Sequence, residues 1–449
     1  MTAIAAITDS DAEAMGTTPP GFRAFLRVFA RIGCLSFGGP AGQIALMHRE
    51  IVGERAWLDD AQFLHALNFC HLLPGPEAQQ MAIWIGWKLH GLRGGLAAGL
   101  LFVIPGALVI LALSVLYGFA ARLGWFVAMF LGIKAAVLAL VAQALARVAR
   151  RALDTSAKRI IAASTFIAIA FAHAPFPLLV LGAGAAGWAM ARYRPAWLGV
   201  ALDTTARPST PPPWRASIMA ASIGGGLWAA PLVTIYATLG PGHVLWRIGV
   251  FFSKLAVVSF GGAYAVLAYM AQQAVQGFGW LSPGEMADGL GLAETTPGPL
   301  ILVTQFVGYL AAFRAPAPLT PLVAGVLGAA LTCWVTFVPC FLWIFTLAPW
   351  IERLTHAARL RAALAAVTAA IVGVIANLAL WFALHVLFTR VMPLRLGGVA
   401  LTLPDPASLD ARPVALAAMA GWLLLRARWG VIRVLALSAL AGLLIARLG

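Results

Sequence analysis

Charge is what this chain has least of: Asp, Glu, Lys and Arg make up 10% of its 449 residues, where a soluble domain carries about 25%. With 61% hydrophobic residues and a mean hydropathy of +0.89, the chain lacks the polar coat that an ordinary soluble protein needs. Its apolar runs of about 20 residues suit transmembrane helices and exclude a β-barrel, whose strands are shorter and alternate. Acidic residues are scarce, 16 against 31 basic, for a net charge of +15. The basic residues fall between apolar spans and form no exposed tract. Short loops held in the cytoplasm explain them, and nucleic acid is not an expected partner. The four cysteines (Cys34, Cys70, Cys333, Cys340) lie in apolar runs without metal-ligand spacing, as small buried hydrophobes do. There is no Ser-His-Asp set, phosphate-binding loop or metal cluster. No catalytic residue, cofactor or metal is therefore expected, which argues against an ATP-driven pump or a membrane enzyme. Residues 1–20 are polar, acidic and end in Pro-Pro, with no charged segment ahead of an apolar core. They read as a disordered tail and not a cleaved signal.

What is present centres on Leu72–Gln80, Leu-Leu-Pro-Gly-Pro-Glu-Ala-Gln-Gln, inside a run long enough to cross a membrane. Pro74 and Pro76 each remove a backbone donor, and a helix in lipid must satisfy its own backbone. The segment therefore splits into two half-helices, the second starting near Pro76 and Glu77. Its unpaired first amides and positive dipole end suit an anion. Pro297-Gly298-Pro299 repeats the signature 223 residues later. Paired interrupted helices in two halves of one chain mark the binding site of a secondary transporter.

The repeat extends further. At the same offset Ser36-Phe37-Gly38-Gly39 meets Ser259-Phe260-Gly261-Gly262, and Trp57-Leu58 meets Trp280-Leu281. From Ser36 to Pro76, 13 of 41 positions are identical. Asp59 with Gln62, and Ser282 with Glu285, read as capping boxes opening the two interrupted segments. Arg31 meets Lys254, one cation five residues before each Ser-Phe-Gly-Gly. A looser offset of 234 sets Ile133-Lys134-Ala135-Ala136 against Val367-Thr368-Ala369-Ala370.

Spans are expected at about 22–47, 60–90 (interrupted), 94–118, 124–148, 159–173 and 175–190, then a joining span at 216–238. The second set falls at 244–275, 283–313 (interrupted), 317–348, 360–389, 412–427 and 430–447. That predicts an all-α integral membrane protein of about 13 helices. Two six-helix repeats (21–191 and 241–449) would be separated by a cytoplasmic linker (192–215) and the joining helix (216–240). The basic loop 147–159 and the linker place the N-terminus in the cytoplasm. If the interrupted segments cross fully, Arg353, Arg359 and Arg361 also face inward and the repeats are inverted; re-entrant segments would turn that loop outward.

Cations within spans cost roughly 2.5–3.5 kcal/mol each near the bilayer centre, so Arg31, Lys134 and Lys254 need compensation. An oxyanion between the half-helix ends would supply it; pairing with Glu77, Glu294 or backbone carbonyls, or snorkelling, would do so without function. Glu77 either stabilises a helix start or, like Glu294, titrates and couples protons; its repeat counterpart is Leu300, so such a role is not symmetric. The Ser-Phe-Gly-Gly elements (Ser36, Gly38, Gly39; Ser259, Gly261, Gly262) serve either close helix packing or hydrogen bonding to an oxyanion. Gly75 and Gly298 lie at the breaks, and Gln79, Gln80, Thr295, Thr296 and Gln305 are neutral hydrogen-bonding groups suited to the same ligand.

Ser-Phe-Gly-Gly-Pro (36–40), the 72–80 run, and Gly-Leu-Ala-Glu-Thr-Thr-Pro-Gly-Pro-Leu (291–300) followed by Gln305-Phe306-Val307-Gly308-Tyr309 resemble the chromate ion transporter family, over roughly 22–390. The resemblance implies a two-domain bacterial inner-membrane carrier that exports chromate and lowers its toxicity. Lys254, Glu77, Glu294 and the two Pro-Gly-Pro elements would then matter for transport. The expected partners are chromate, with sulfate as the alternative oxyanion, and the lipid bilayer; a homodimer is left open. The competing functions are a carrier of sulfate or another oxyanion and an anion channel, which would need a continuous pore.

Overall fold

The computed structural model describes residues 20–37, 39–120, 123–172, 174–199, 214–260, 263–396 and 399–448. The expected tail through residue 19, the site glycines Gly38, Gly261 and Gly262, and residues 200–213 of the linker lie outside the described residues.

Helix α1 (Phe22–Leu35) buries Phe25, Val28, Phe29 and Ile32 at helical spacing and leaves Arg23, Arg27 and Arg31 exposed on the other face. The sequence predicts that it continues to residue 47, but it stops at Ser36, and α2 (Gly39–His48) begins afresh. Pro40 cannot donate to the preceding turn, and Gly39 has φ +71°, a left-handed conformation open to glycine. The second half repeats this correction: α9 (Val244–Val258) ends at Ser259, and α10 (Ala263–Gln272) follows. The two serines share one backbone conformation, φ/ψ −76°/75° at Ser36 and −79°/69° at Ser259.

Each second helix then widens into one π-helical turn, Arg49–Gly53 or Gln273–Gly277. The amides of Trp57 and Trp280 donate to the carbonyls of Ile51 and Ala274, 2.8 Å in both cases. Helix α3 (Asp60–Cys70) is capped as expected, the Asp59 carboxylate accepting from the Gln62 amide at 2.7 Å. The Ser282–Glu285 box opens α11 (Pro283–Thr295), with bonds of 2.8 and 3.3 Å.

Both predicted interruptions are present. After α3 the chain leaves helical structure until α4 (Glu77–Ala120), which itself turns at His90 and Gly91, where the backbone is non-helical. Residues 83–86 fold back on 94–99. Gly86 and Gly94 meet so closely that a Cβ on either would strike the other's carbonyl. After α11, a 3-10 turn (Leu300–Leu302) leads into α12 (Val303–Arg314), which packs on α13 (Pro321–Leu347), Gly308 facing Gly328 in the same manner.

The remaining helices are α5 (Gly124–Ala152), α6 (Ser156–Ala172), α7 (Phe176–Tyr193), α8 (Trp214–Leu239), α14 (Ile351–His356), α15 (Ala358–Leu387), α16 (Ala411–Leu425) and α17 (Val431–Leu448). Among the described residues five segments are long and apolar enough to cross a bilayer: α4, α5, α8, α13 with its following turn, and α15. The protein is a multi-span helical membrane protein. One element departs from the expected all-α content. A small antiparallel hairpin, β1 (Val391–Leu396) and β2 (Val399–Pro404), pairs Val391 with Pro404 and Leu396 with Val399.

The chain forms two compact units, and each draws on both sequence halves. Unit 1 comprises residues 1–112, 203–263 and 296–357; unit 2 comprises 113–202, 264–295 and 358–449. Within unit 2 the halves exchange partners: α5 packs on α16 and α17, while α15 packs on α6 and α7. Glycines make these crossings close. Gly132 abuts the Ser438 carbonyl, and Gly373 abuts that of Ala162.

Candidate functional site

The two helix breaks meet the two Ser-Phe-Gly-Gly elements crosswise in unit 1. The Gly75 amide donates to the Ser259 carbonyl and the Gly298 amide to the Ser36 carbonyl, each at 2.8 Å. Both glycines have positive φ, +118° and +96°, so only glycine makes the turn without strain. Each also lies against the other half's proline-bearing helix. A Cβ on Gly75 would come within 3.0 Å of Cys340 Sγ, next to Pro339 of α13. One on Gly298 would come within 3.2 Å of Gly106 Cα, next to Pro105 of α4. These two proline sites are related by the 234-residue offset seen in the sequence.

The carbonyls at these junctions come from residues just past a helix end, where no intrahelical donor exists. Ser36 and Ser259 turn their hydroxyls onto their own helices, donating to Ile32 at 2.7 Å and Ala256 at 2.8 Å. Their protons, and the amides of Gly75 and Gly298, are thus engaged in holding the breaks together.

Side-chain amides gather at the same breaks. Gln80 is fully buried and donates to the Pro74 carbonyl at 2.7 Å. Gln43 donates to the Gly298 carbonyl at 2.6 Å, and Gln305 to that of Ala107 at 3.1 Å. Gln79, in the first turn of the half-helix starting at Glu77, is fully buried, and neither its amide nitrogen nor its oxygen has a hydrogen-bond partner among the described residues. The Gln80 and Gln305 oxygens and the Tyr309 hydroxyl are likewise buried without one among the described residues. Buried polar groups are seldom left unpaired, and in membrane proteins such groups mark ligand paths.

The three cations singled out in the sequence have different surroundings. Arg31 stands 3.6 Å from Glu50, a fully buried carboxylate in the first π turn that Arg55 also holds at 2.6 Å. Lys134, on α5, lies 3.1 Å from Asp288 of α11 in unit 2, and the Tyr117 hydroxyl donates to the same carboxylate at 2.6 Å. Lys254, on α9, is exposed and has no carboxylate within ion-pair distance among the described residues. Glu50 aligns with Gln273 in the second half, so Arg31 has a carboxylate at a position where the Lys254 repeat has an amide.

Glu77 begins α4 with its carboxylate 3.2 Å from His71 Nδ1. Glu294 is buried near the end of α11, where Thr295 turns its hydroxyl onto the Leu292 carbonyl at 2.8 Å. Unit 1 therefore holds Arg31, Ser36, Gly39, Gly75, Glu77, Gln79, Gln80, Lys254, Ser259, Thr296, Gly298 and Gln305, while Lys134, Glu294 and Thr295 belong to unit 2. Sequence reasoning passed over Gln43, Glu50, Asp288, Tyr117 and Tyr309. The available signal was a lone carboxylate near the apolar runs, at Glu50 and Asp288.

Residues 23–188 and 246–443, one stretch in each sequence half, match the family described as chromate transporter. The chain belongs to the chromate transporter family. A relative named chromate transport protein from Pseudomonas aeruginosa is 32% identical over 430 residues, covering 93% of this chain and 95% of its own. The chromate transport protein of Cupriavidus metallidurans is 30% identical, covering 79% of this chain and 80% of its own. The probable chromate transport protein of Synechococcus elongatus is 28% identical over 78% of this chain and 81% of its own. No solved structure matches. Membership makes the protein a membrane transporter, and the crossed breaks lie within the stretches that define the family.

Proposed function

We propose that this protein is a secondary carrier that exports chromate across the bacterial inner membrane by alternating access and so confers chromate resistance. The observation that carries this reading is the crosswise junction of two interrupted helices, with the Gln79 amide, unpartnered among the described residues, in the first turn of a half-helix. A tetrahedral dianion can accept hydrogen bonds from donors such as the Gln79 amide, and the positive end of the half-helix favours its charge. Lys254, exposed and without a carboxylate in reach among the described residues, supplies a cation, whereas Arg31 shares Glu50 with Arg55. The names of the relatives point to chromate as the oxyanion. Expelling a dianion from a negative-inside cell is favoured by roughly 2.3 kcal/mol per charge per 100 mV, so the membrane potential suffices as a driving force.

In this reading the chain crosses the membrane 13 times as two inverted repeats, 21–191 and 241–449, joined by α8, with the N-terminus in the cytoplasm. A sulfate carrier is the second reading, since sulfate matches chromate in shape and charge. The test is chromate uptake into everted vesicles, with and without excess sulfate, beside Lys254→Ala. Energy-dependent uptake that the variant lacks supports the reading. Sulfate flux without chromate uptake removes the substrate but keeps the carrier, and unaltered transport in Lys254→Ala removes the proposed cation.

A further inference from the structure

Unit 2 holds a partly open cavity of about 110 Å³ between α6, α10 with its π turn, and α15. Ile169 and Leu378, both buried, line it together with Trp381. So do three carboxamides: Gln272 at the end of α10, Gln276 in the π turn and Asn377 on α15. Their side chains make no hydrogen bond among the described residues, and no carboxylate, lysine or arginine among those residues lines the cavity.

Gln272 and Gln276 reach the same cavity across the π turn. The Phe278 amide closes that turn by donating to the Gln273 carbonyl at 2.8 Å, and single π turns within helices recur at functional sites. The first sequence half does not repeat the arrangement. Arg49 and Gly53 stand opposite Gln272 and Gln276, and Gln143 opposite Asn377. Arg49 is paired with Glu54 at 3.6 Å, and Gly53 has no side chain. An apolar cavity of about 150 Å³ takes benzene, so one of about 110 Å³ suits a group of roughly five heavy atoms. A tetrahedral oxyanion is that size. Each carboxamide offers two N–H donors to its oxygens, whereas a lipid chain in the same place would leave all three amides without a partner.

We propose that this cavity is a second oxyanion site, built of neutral donors alone. The N–H groups of Gln272, Gln276 and Asn377 donate to the oxygens of the ion, and the absence of a lining carboxylate spares it like-charge repulsion. Lacking a cation, the site holds its ion weakly and releases it readily, as passage through a carrier requires. All of its residues belong to unit 2, whereas Gln79 and Lys254 belong to unit 1, so each site can be removed without touching the other. The choice of ligand rests on the carrier reading above.

The test is equilibrium dialysis of the purified full chain in detergent against chromate, with sulfate as competitor. The wild type should bind two ions per chain. The size-matched variants Gln276→Met and Asn377→Leu should weaken one of the two about tenfold or more, since each removes donors to a charged ligand, and Lys254→Ala should weaken the other. Gln276 is exposed, so its variant remains informative if Asn377→Leu fails to fold. Two ions bound with wild-type affinity in Gln276→Met and Asn377→Leu overturn the proposal. So does a single ion in the wild type that is lost in Lys254→Ala and kept in Asn377→Leu; both results leave the carrier standing. A single ion lost in Asn377→Leu and kept in Lys254→Ala, with no oxyanion flux in vesicles, keeps this site and defeats the carrier reading. No bound ion in the wild type removes both.

Discussion

The Gly75 amide donates to the Ser259 carbonyl at 2.8 Å, tying the helix break of one sequence half to the helix end of the other. Gly298 and Ser36 make the same bond in the opposite sense. Each half thus supplies the acceptor that the other's break requires, and a broken helix in lipid without such a partner would be costly. Unit 1 draws on both halves, and these two bonds cross between them.

Gly75→Ala and Gly298→Ala should each lower the thermal midpoint of the purified protein and abolish transport. Both positions combine positive φ, costing an L-residue about 1–2 kcal/mol, with a Cβ 3.0 Å from Cys340 Sγ or from Leu302 Cδ1. Wild-type melting and flux in either variant would show that the crossed junction is not required.

The glycine crossings separate packing from composition. Gly132→Ala drives a Cβ into the Ser438 carbonyl, and Gly86→Ala into that of Gly94. Overpacking of this kind costs about 1–3 kcal/mol or more. Gly182→Ala, in α7 where nothing lies within 4 Å, should be neutral or stabilising by up to about 1 kcal/mol. Thermal melts in detergent rank the three.

Glu50 gives a graded prediction. Removing Arg55 leaves this fully buried carboxylate without its 2.6 Å partner, and stranding a buried charge costs about 3–5 kcal/mol. Arg55→Ala should destabilise more than Arg31→Ala, because Arg31 is 3.6 Å away and half exposed. Equal effects in a double-mutant cycle would contradict the assigned partners.

A small pH effect belongs to the loop before α6. The hydrogen bond from Lys158 to Asp154, 2.8 Å long, holds that carboxyl below its ordinary value. A depressed carboxyl contributes stability above its unfolded pKa of about 4 and loses it as pH falls through the folded value. Lys158→Met should therefore lower stability near neutral pH, by less than about 1 kcal/mol since Asp154 is exposed, and not in strong acid. Melting curves across that range test the sign.

The helix breaks were legible because proline and glycine act locally. Pro74-Gly75-Pro76 and Pro297-Gly298-Pro299 interrupt a helix whatever surrounds them, and Asp59 and Ser282 cap the helices they precede. The breaks at Ser36 and Ser259 were not read, although Gly39 and Pro40 were in view, because each apolar run around them is long enough to pass for one span. The β1–β2 hairpin escaped for a similar reason: a short alternating segment between two spans reads as a loop.

By itself the sequence determined the class of protein, the repeat and the places where helices break, since hydropathy, proline and glycine act over a few residues. Partnership was decided only by the tertiary structure. Arg31 meets Glu50 and not Glu77, Lys134 meets Asp288, and Gly75 meets a carbonyl 184 residues away. Such pairings depend on which helix faces are brought together when the two halves exchange elements. A buried charge takes whichever opposite group that exchange sets within reach, and spacing along the chain carries no record of it.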